Sequence, residues 1–582
     1  MPQITVLDAG GQYCHLIARK VRDLGVYADV RPSDTPAVEL RGRKGIIISG
    51  GPDSVYEKDS ARIDPAILSS GSAVLGICYG QQLMAHSLGG HVRKGDKGEY
   101  GLALLQAVKP HVVFTGLNGD PQVWMNHRDQ VESVPPGFEV LASTDTCAIA
   151  AMGHRDLPLV ALQFHPEVVH TRQGREILSN FVFRVCGCTK DWDPKDRIAP
   201  VEAEIRAVAG DRNVFFFVSG GVDSTVAYTL CLRALGPDRV YGIYVDTGLM
   251  REGETAYVER LFQQLGATAF HIEAAEGEFL GALTGICDPE KKRHIIGEQF
   301  VAVQERVLST GHFLDGHWIL GQGTIYPDTI ESGGTARADV IKTHHNRVAG
   351  IQKLIETGRI IEPLASFYKD EVREIGAELR IPGEFLHRHP FPGPGLAIRC
   401  LCSDTEIPVR RMDPGWLLPI RSVGVQGDSR SYRAVLALEH LPEDELATAL
   451  VNHNWEAINR VVGVVSTRAA ISTLRSTLGT LTHERLERLR QADAIVRRLS
   501  HETGFEREVW QFPVVLIPLG AGAQPDSVVL RPIHSVDGMT AQVVRMPADL
   551  LRRMASELMT VEGVCGVFYD LTHKPPGTIE WE

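Results

Sequence analysis

The chain has 582 residues, of which 43% are hydrophobic and 23% charged, and its 72 acidic and 60 basic residues give a formal net charge of −12. This length exceeds what one hydrophobic core supports, so several domains are expected, and the acidic balance gives no support for a nucleic-acid partner. No apolar run approaches the roughly 20 residues of a membrane span, and the N-terminus lacks a secretory signal, which together predict a cytoplasmic protein without a membrane partner.

The first 190 residues alternate short β-rich runs with helical patterns and glycine turns, which predicts an open α/β sheet. The runs are Ile4–Leu7, Gly45–Ile48, Ala73–Ile77 and Leu159–Phe164. The polar stretch Thr189–Pro194 comes next and is typical of a linker, so we place the first domain at 1–190.

A cysteine lies directly after the third of these runs. Cys78 is flanked by Gly76 and Gly80, as expected for a nucleophile on a sharp strand-to-helix turn, where the helix N-terminus favours the thiolate. His165 and Glu167 follow the fourth run and are suited to accept the thiol proton and to orient the imidazole. A Gly-x-Cys-x-Gly string alone is also compatible with a structural thiol, but with this histidine and carboxylate it indicates nucleophilic catalysis.

These residues, together with the string Gly50-Gly51-Pro52, resemble the class I glutamine amidotransferases over residues 1–185. The resemblance implies that Cys78 forms a glutamyl thioester, that His165 is the general acid and base, and that Glu167 orients it. It also implies that the backbone N–H groups of Gly51 and Tyr79 stabilise the oxyanion. The residues that it implies near the bound glutamine are Gln82, Asn126 and His127.

A second series of strands and helices begins after residue 210 and predicts a doubly wound parallel sheet. It contains the strand Asn213–Val218, the helix Val222–Leu235, the strand Val240–Val245, the helix Thr255–Leu265 and the strand Ala269–Ile272. We place this domain at 191–395, ending at the proline-rich string His389–Gly395, where fixed φ angles stiffen the connection.

The glycine-rich turn of this domain is suited to hold an anion, because its N–H groups and hydroxyls converge at a helix N-terminus. It lacks the Gly-Lys-Ser/Thr ending of a Walker A loop and resembles the loop of the ATP pyrophosphatases, which hold the departing pyrophosphate while AMP is transferred. Asp223 is the expected Mg²⁺ ligand, and Ile341–Asn346 is interpreted as a lid over the site. The residues expected to bind ATP are Ser219, Gly220, Gly221, Val222, Asp223, Ser224, Thr225, Asp246 and Lys369.

The close of the chain, Asp570–Glu582, resembles the GMP synthetase family, and so do three earlier strings. These strings are Pro390–Ala397, Gly424–Tyr432 and Ser535–Thr540. The resemblance then spans nearly the whole chain, and it implies that xanthosine monophosphate accepts the nitrogen while ATP and glutamine are the other substrates. The residues that match positions assigned to xanthosine monophosphate are Arg293, Asp428, Gln511, Lys574 and Glu580.

The last part of the chain also contains a faint repeat. Leu418–Ile420 echoes Ile517–Leu519 around a proline, and Asn459–Val462 echoes Cys565–Phe568. We infer two α+β C-terminal subdomains of the same type, at 396–478 and 479–582. This arrangement resembles the long form of the family and predicts a functional monomer, with a homodimer as the alternative.

Two other functions remain open at this point. A ligase similar to glutamine-dependent NAD synthetase uses the same two modules, although the Lys574–Glu582 tail argues against it. A non-catalytic nucleotide-binding regulator would keep the fold without the chemistry. The presence of Cys78, His165, Glu167 and Asp223 argues against such a regulator.

Overall fold

A computed structural model describes residues 2–11, 13–94, 99–107, 109–119, 121–331, 348–389, 391–426, 429–442, 446–454, 456–535 and 540–582. The chain divides into two compact units, of which the first is Met1–Ile198 with Pro327–Ala336 and the second is Ala199–Tyr326 with Arg337–Glu582. None of the helices in the described ranges is long and apolar enough to cross a membrane.

The first unit is built on a mixed sheet with the order β2-β1-β3-β4-β12-β11-β10-β7, and smaller sheets pair β5 with β9 and β6 with β8. The strands are β1 Ile4–Asp8, β2 Ala28–Pro32, β3 Gly45–Ile48, β4 Ala73–Ile77, β5 His91–Arg93, β6 Glu99–Leu104, β7 Gln106–Ala107, β8 Gln122–His127, β9 Gln130–Ser133, β10 Phe138–Ser143, β11 Ala151–His154 and β12 Leu159–Leu162. The helices are α1 Cys14–Arg22, α2 Tyr79–Ser87 and α3 Gly174–Ser179, which continues as π-helical Asn180–Val185. Strands β2 to β12 of this order run parallel, and β1, β3, β4 and β12 are almost wholly buried, as strands covered on both faces must be. The predicted open α/β sheet is therefore confirmed.

The polar stretch after residue 188 packs onto this first unit. Trp192 is buried and its ring stacks on Tyr27 at a centroid distance of 4.4 Å, while the Asp191 N–H donates to the carbonyl of Gly25. The compact unit accordingly ends at Ile198, somewhat beyond the boundary drawn at residue 190.

The second unit begins with a wholly parallel sheet of order β15-β14-β13-β16-β17, which we call the central sheet. Its strands are β13 Asn213–Val218, β14 Val240–Asp246, β15 Ala269–Ala274, β16 Trp318–Gly321 and β17 Ile360–Ile361. The helices in this part of the sequence are α4 Ile198–Ala209, α5 Val222–Leu235, α6 Glu254–Gln264, α7 Glu276–Ala282, α8 Pro289–Thr310, α9 Tyr326–Glu331, α10 Ala349–Glu356, α11 Lys369–Glu378 and α12 Gly383–Leu386. The strand order reverses between β13 and β16, as it does in a doubly wound sheet, so this prediction is confirmed as well.

Seven of the remaining strands form a C-terminal sheet of order β18-β19-β20-β21-β28-β25-β23, and two smaller sheets pair β22 with β24 and β26 with β27. The strands are β18 Arg410–Met412, β19 Gly415–Gln426, β20 Ser429–Leu438, β21 Ile458–Thr467, β22 Arg475–Ser476, β23 Val514–Ile517, β24 Leu519–Gly520, β25 Asp526–Leu530, β26 Ile533–His534, β27 Gln542–Val543 and β28 Val564–Asp570. The helices are α13 Leu446–His453, α14 His483–Thr503 and α15 Ala548–Leu558.

The two halves of the C-terminal sheet follow the same path. In the first half β19 and β20 are antiparallel and β21 returns parallel to β20 after helix α13; in the second half β23, β25 and β28 repeat these relations around α15. Pro419 and Pro518 interrupt the strands at matching places, and β21 pairs antiparallel with β28. The two halves thus share one sheet, and the division into two subdomains at residue 479 stays a prediction.

Candidate active sites

Cys78 occupies a strained turn between β4 and α2. Its backbone has φ +54° and ψ −108°, a region that a side chain rarely adopts and that is found mostly at functional sites. A Cβ on Gly76 would lie 2.5 Å from the carbonyl oxygen of Gly80, and one on Gly80 would lie 2.4 Å from that of Ile48. Both flanking glycines are therefore required by close backbone contacts, as the strand-to-helix elbow predicts.

The predicted partners of the thiol are next to it. Strands β4 and β12 are parallel neighbours, so the residues that follow them meet at one edge of the sheet. The Nδ1 of His165 is 2.7 Å from an oxygen of Glu167, and the two side chains are 4% and 0% exposed. A Cβ on Gly50 would lie 3.1 Å from Cε1 of His165 and 3.5 Å from Cβ of Cys78, so the imidazole and the cysteine flank the same glycine.

The charges around His165 favour its protonated form. Burial lowers the pKa of His165, but the neighbouring Glu167 and Cys78 raise it by more, to about 10. This pKa lies above the roughly 6.5 of an unfolded histidine. Protonated His165 therefore stabilises the folded state fully below about pH 6.5, and this stabilisation is lost as the pH rises through about 10. A raised pKa favours the protonated imidazole beside the nucleophile, which suits a general acid.

We expect Glu167→Gln to lower the pKa of His165 by about 1 to 3 units, because the buried imidazolium loses its nearest negative charge. Histidine nuclear magnetic resonance titration of the full chain measures this pKa, and glutamine hydrolysis is expected to fall about 10²- to 10⁴-fold. Glu176→Gln, on the exposed face of α3, is the matched control and should leave both measurements unchanged. An unchanged His165 titration in Glu167→Gln would contradict this account of the charges.

Backbone N–H groups for an oxyanion are available beside the thiol. Tyr79 is the first residue of α2, so its N–H is one of those that find no acceptor inside the helix. A Cβ on Gly51 would lie 2.4 Å from the carbonyl oxygen of Ala9 and 3.4 Å from Cδ1 of Tyr79. The structure thus brings Gly51 and Tyr79 together, and their oxyanion role stays a prediction.

The three residues expected near the glutamine have different contacts. The Cys78 thiol donates to the backbone oxygen of Asn126 at 3.5 Å. The Gln82 amide donates to the carbonyl of Asp129 at 2.6 Å, and Nδ1 of His127 lies 3.1 Å from that same oxygen. Gln82 and His127 therefore meet at Asp129, a residue that no motif in the sequence pointed to.

The phosphate turn has the predicted geometry. Gly220 has φ +72°, and the N–H of Gly221 donates to the hydroxyl of Ser219 at 3.2 Å. The hydroxyl of Ser224 lies 3.2 Å from the hydroxyl of Ser219. A Cβ on Gly323, just after β16, would lie 2.8 Å from the nitrogen of Ser224, so no side chain fits at this position. The turn lies where the strand order of the central sheet reverses, the usual place for a nucleotide.

The predicted ATP residues Asp223 and Lys369 form an ion pair at this turn through Oδ2 of the aspartate. The other oxygen, Oδ1, is buried and has no hydrogen-bond partner among the described residues. Asp246, at the end of β14, accepts from the hydroxyl of Thr255 at 2.8 Å and from the N–H of Gly248 at 3.0 Å.

The free oxygen of Asp223 fits a Mg²⁺ ligand. Within the described ranges no three His, Cys, Asp or Glu side chains cluster as a metal site. Mg²⁺ is usually held by one or two carboxylates together with substrate phosphates. The predicted lid Ile341–Asn346 lies outside the described residues.

The residues predicted for xanthosine monophosphate are partly brought together. Arg399 holds Glu580 with two hydrogen bonds of 2.9 and 2.7 Å, and the amide of Gln511 donates to Glu580 at 3.4 Å. Arg293 donates to the backbone oxygen of Glu582. The predicted Lys574 exchanges backbone hydrogen bonds with Ala541, and Asp428 lies outside the described residues.

Several buried cations that hold the tail were missed by sequence reasoning. Lys292 is 0% exposed and donates to the carboxylate of Glu582 at 2.7 Å. Arg460 and Arg531 both pair with the buried Asp570 and both donate to the carbonyl of Thr578. These partners are far apart in sequence, and the position of Arg399 just after the Pro-Phe-Pro-Gly string was the one local signal.

Comparisons with known proteins agree with this arrangement. Family models for class I glutamine amidotransferases, NAD synthase and the GMP synthase C-terminal domain match residues 5–185, 199–298 and 499–581. The fold and the sites thus define a glutamine amidotransferase joined to an ATP pyrophosphatase. The chain is 42% identical over 591 residues to the glutamine-hydrolysing GMP synthase of Symbiobacterium thermophilum and 40% identical over 610 residues to a probable one of Leptospira interrogans, each alignment covering 100% of this chain and 99% of the relative. The chain therefore belongs to the glutamine-hydrolysing GMP synthase family.

Among solved structures, a protein from Thermoplasma acidophilum described as a putative GMP synthase subunit is 35% identical to the chain. The match covers 32% of this chain and 94% of the other, with a TM-score of 0.30.

The match to NAD synthase is confined to residues 199–298, whereas the GMP synthases match throughout, so the comparisons do not favour the NAD synthetase-like alternative.

Proposed function

We propose that the chain converts xanthosine monophosphate, ATP, glutamine and water to GMP, AMP, diphosphate and glutamate. The observation that carries the proposal is that one chain combines the buried Cys78–His165–Glu167 arrangement with a phosphate turn in which Asp223 keeps a carboxylate oxygen without a partner among the described residues. The first releases ammonia, and the second activates an oxygen that ammonia can replace.

In the first reaction the Cys78 thiolate attacks the carboxamide carbon of glutamine. The N–H groups of Gly51 and Tyr79 bind the oxyanion, and the protonated His165 gives its proton to the departing ammonia. His165 then accepts a proton from water, which attacks the thioester and releases glutamate and free Cys78. Glu167 holds the imidazole in the orientation that both steps need.

In the second reaction the O2 oxygen of xanthine attacks the α-phosphorus of ATP and diphosphate leaves. The Ser219–Thr225 turn and Lys369 are placed to bind that diphosphate. Ammonia then adds to C2 of the adenylylated base, and AMP departs with the former oxygen. Mg²⁺, held by Asp223 and the phosphates, would neutralise charge on the leaving group.

The purine nucleotide would be bound by Arg293, Asp428, Gln511, Lys574 and Glu580. Arginine and lysine suit its phosphate, while amide and carboxylate groups suit the ribose and base. Gln511 donates to Glu580, which the buried Arg399 also holds, and this cluster supports the assignment.

Product analysis with ammonium as the nitrogen source tests the function directly. With MgATP, we expect xanthosine monophosphate to give GMP and AMP, and deamido-NAD to give no product. Turnover of deamido-NAD in preference would favour the NAD synthetase-like alternative, and binding of nucleotides without AMP release would favour the regulator.

We also infer that one chain is active as a monomer in the cytoplasm. The matching halves of the C-terminal sheet support this, because β21 of one half is already paired with β28 of the other. Sedimentation of the active enzyme should give the mass of one chain, 63.9 kDa. An obligate dimer would overturn the inference.

A further inference from the structure

One short segment of the second unit contacts both the loop after Asp246 and the tail residue Glu580. It is the 3₁₀ turn Gly395–Ile398 together with Arg399, which we call the connecting turn. All five residues are buried, and Leu396, Ala397 and Arg399 are 0% exposed. A segment packed this tightly moves as one piece, because protein interiors have little free volume.

The first end of the connecting turn is fixed to the loop that follows β14. The N–H of Leu396 donates to the carbonyl of Leu249 at 2.7 Å. Gly395 has φ +65°, and a Cβ there would lie 2.3 Å from that same carbonyl oxygen, so this contact leaves no room for a side chain. The loop follows Asp246, the last residue of β14 and one of the residues proposed to bind ATP. Arg490 of α14 donates to the carbonyl of Met250 within this loop.

The other end of the connecting turn is fixed to the tail. Arg399 holds both carboxylate oxygens of Glu580, at 2.9 and 2.7 Å. Lys292 donates to the carbonyl of Cys400 at 3.0 Å and to the carboxylate of Glu582 at 2.7 Å. One terminal nitrogen of Arg399 is buried and has no hydrogen-bond partner among the described residues, so the guanidinium has a hydrogen bond left to donate.

A side-chain path runs beside this backbone path. The guanidinium of Arg251, in the loop after β14, lies 4.5 Å from the ring centroid of Phe391, and that of Arg399 lies 5.3 Å from the same centroid. Arg251 is further held by the buried Asp493 of α14 at 3.3 Å. Phe391 thus joins a cation of the ATP loop to the cation that orients Glu580.

We propose that Arg399 is a positioning residue through which the connecting turn couples the binding of xanthosine monophosphate to the binding of ATP. The inference rests on the proposed function, because it takes Glu580 as a contact of that nucleotide. A nucleotide at Glu580 fixes Arg399 and the turn, and the turn fixes the loop of Asp246, so the second nucleotide meets a loop that is already ordered. Reciprocity requires that ATP tighten the binding of xanthosine monophosphate by the same factor.

The coupling is measured with α,β-methylene-ATP and Mg²⁺, since this analogue keeps its bond between the α- and β-phosphates intact. Calorimetric titration of the full chain, with and without saturating xanthosine monophosphate, gives the ratio of the two dissociation constants. We expect a ratio of about 5 to 100 for the wild type. In Arg399→Lys, which keeps the charge and loses the fork, we expect the ratio to fall to about 1 to 2 while the affinity for the analogue alone stays within about twofold.

Two further variants keep the outcome interpretable. Phe391→Leu removes the shared ring and leaves the Arg399–Glu580 fork in place, and it should lower the ratio as well, so it carries the test if Arg399→Lys fails to fold. Arg488→Lys is the matched control, because Arg488 is also a buried fork, to Asp526 and the carbonyl of Glu562, that lies off the connecting turn.

A wild-type ratio in both Arg399→Lys and Phe391→Leu would overturn the proposal, as would an equal loss in Arg488→Lys. A wild-type chain that does not bind xanthosine monophosphate would instead contradict the proposed function itself. The two failures are therefore distinguishable in the same set of titrations.

Discussion

Cys78→Ala is expected to lower the formation of GMP from glutamine by about 10⁴-fold or more, because nothing else at the turn can form the thioester. Formation of GMP from ammonium is expected to stay within about twofold of the wild type, since the phosphate turn and the tail lie in the second unit. Alanine relieves none of the backbone strain at residue 78 and loses the contact of the thiol with Asn126, so we also expect a modest fall in thermal stability.

The measurement compares GMP production with glutamine and with ammonium under the same MgATP and xanthosine monophosphate. Cys147→Ala is the matched control, because Cys147 is another buried thiol of the first unit and burial raises its pKa to about 12. That variant should keep both activities. Loss of the ammonium reaction in Cys78→Ala would mean that the two sites do not work separately.

Asp223→Asn is expected to give the opposite pattern. It removes the charge that pairs with Lys369 and weakens the carboxylate oxygen proposed for Mg²⁺, so GMP formation from ammonium should fall about 10³-fold or more. The basal hydrolysis of glutamine, measured without ATP and xanthosine monophosphate, is expected to stay within about twofold of the wild type, because Cys78 and His165 are untouched.

Asp238→Asn is the control for this experiment. Asp238 is an exposed carboxylate before β14, whereas Asp223 lies beyond the carboxyl end of β13, so the control loses the same charge away from the phosphate turn. AMP release and glutamate release are followed in parallel. Survival of AMP release in Asp223→Asn would remove this aspartate from the proposed chemistry.

The structural placement of residues that lie in short sequence motifs could be predicted from the sequence. Cys78 and His165 each follow a strand, and parallel neighbouring strands deliver their ends to one edge, so a short motif suffices. Asp223 follows the same logic at the central sheet. The ion pair between Asp223 and Lys369 brings two of the predicted ATP residues together, although 146 positions separate them.

What the sequence did not disclose depends on contacts between distant segments. Arg399 and Glu580 are 181 positions apart, and Lys292 and Glu582 are 290 apart, so only the folded chain shows that they are partners. The pairing of β21 with β28 is of the same kind, since each strand alone has the pattern of an ordinary buried strand. Gln82 is expected near the glutamine, and its buried amide also donates to the carbonyl of Asp129, a contact that no local pattern reveals.

The paired halves of the C-terminal sheet have a consequence for how the enzyme can change. In an assembly of two identical chains every substitution is made twice, once in each half of the interface. Here β21 and β28 are two different segments of one chain, so a mutation changes one half of the sheet and leaves the other half unchanged. The segment after β28 carries Lys574 and Glu580, whereas the segment after β21 leads to β22 and α14. The half that carries the residues proposed to hold the nucleotide can therefore change while the other half stays as it was.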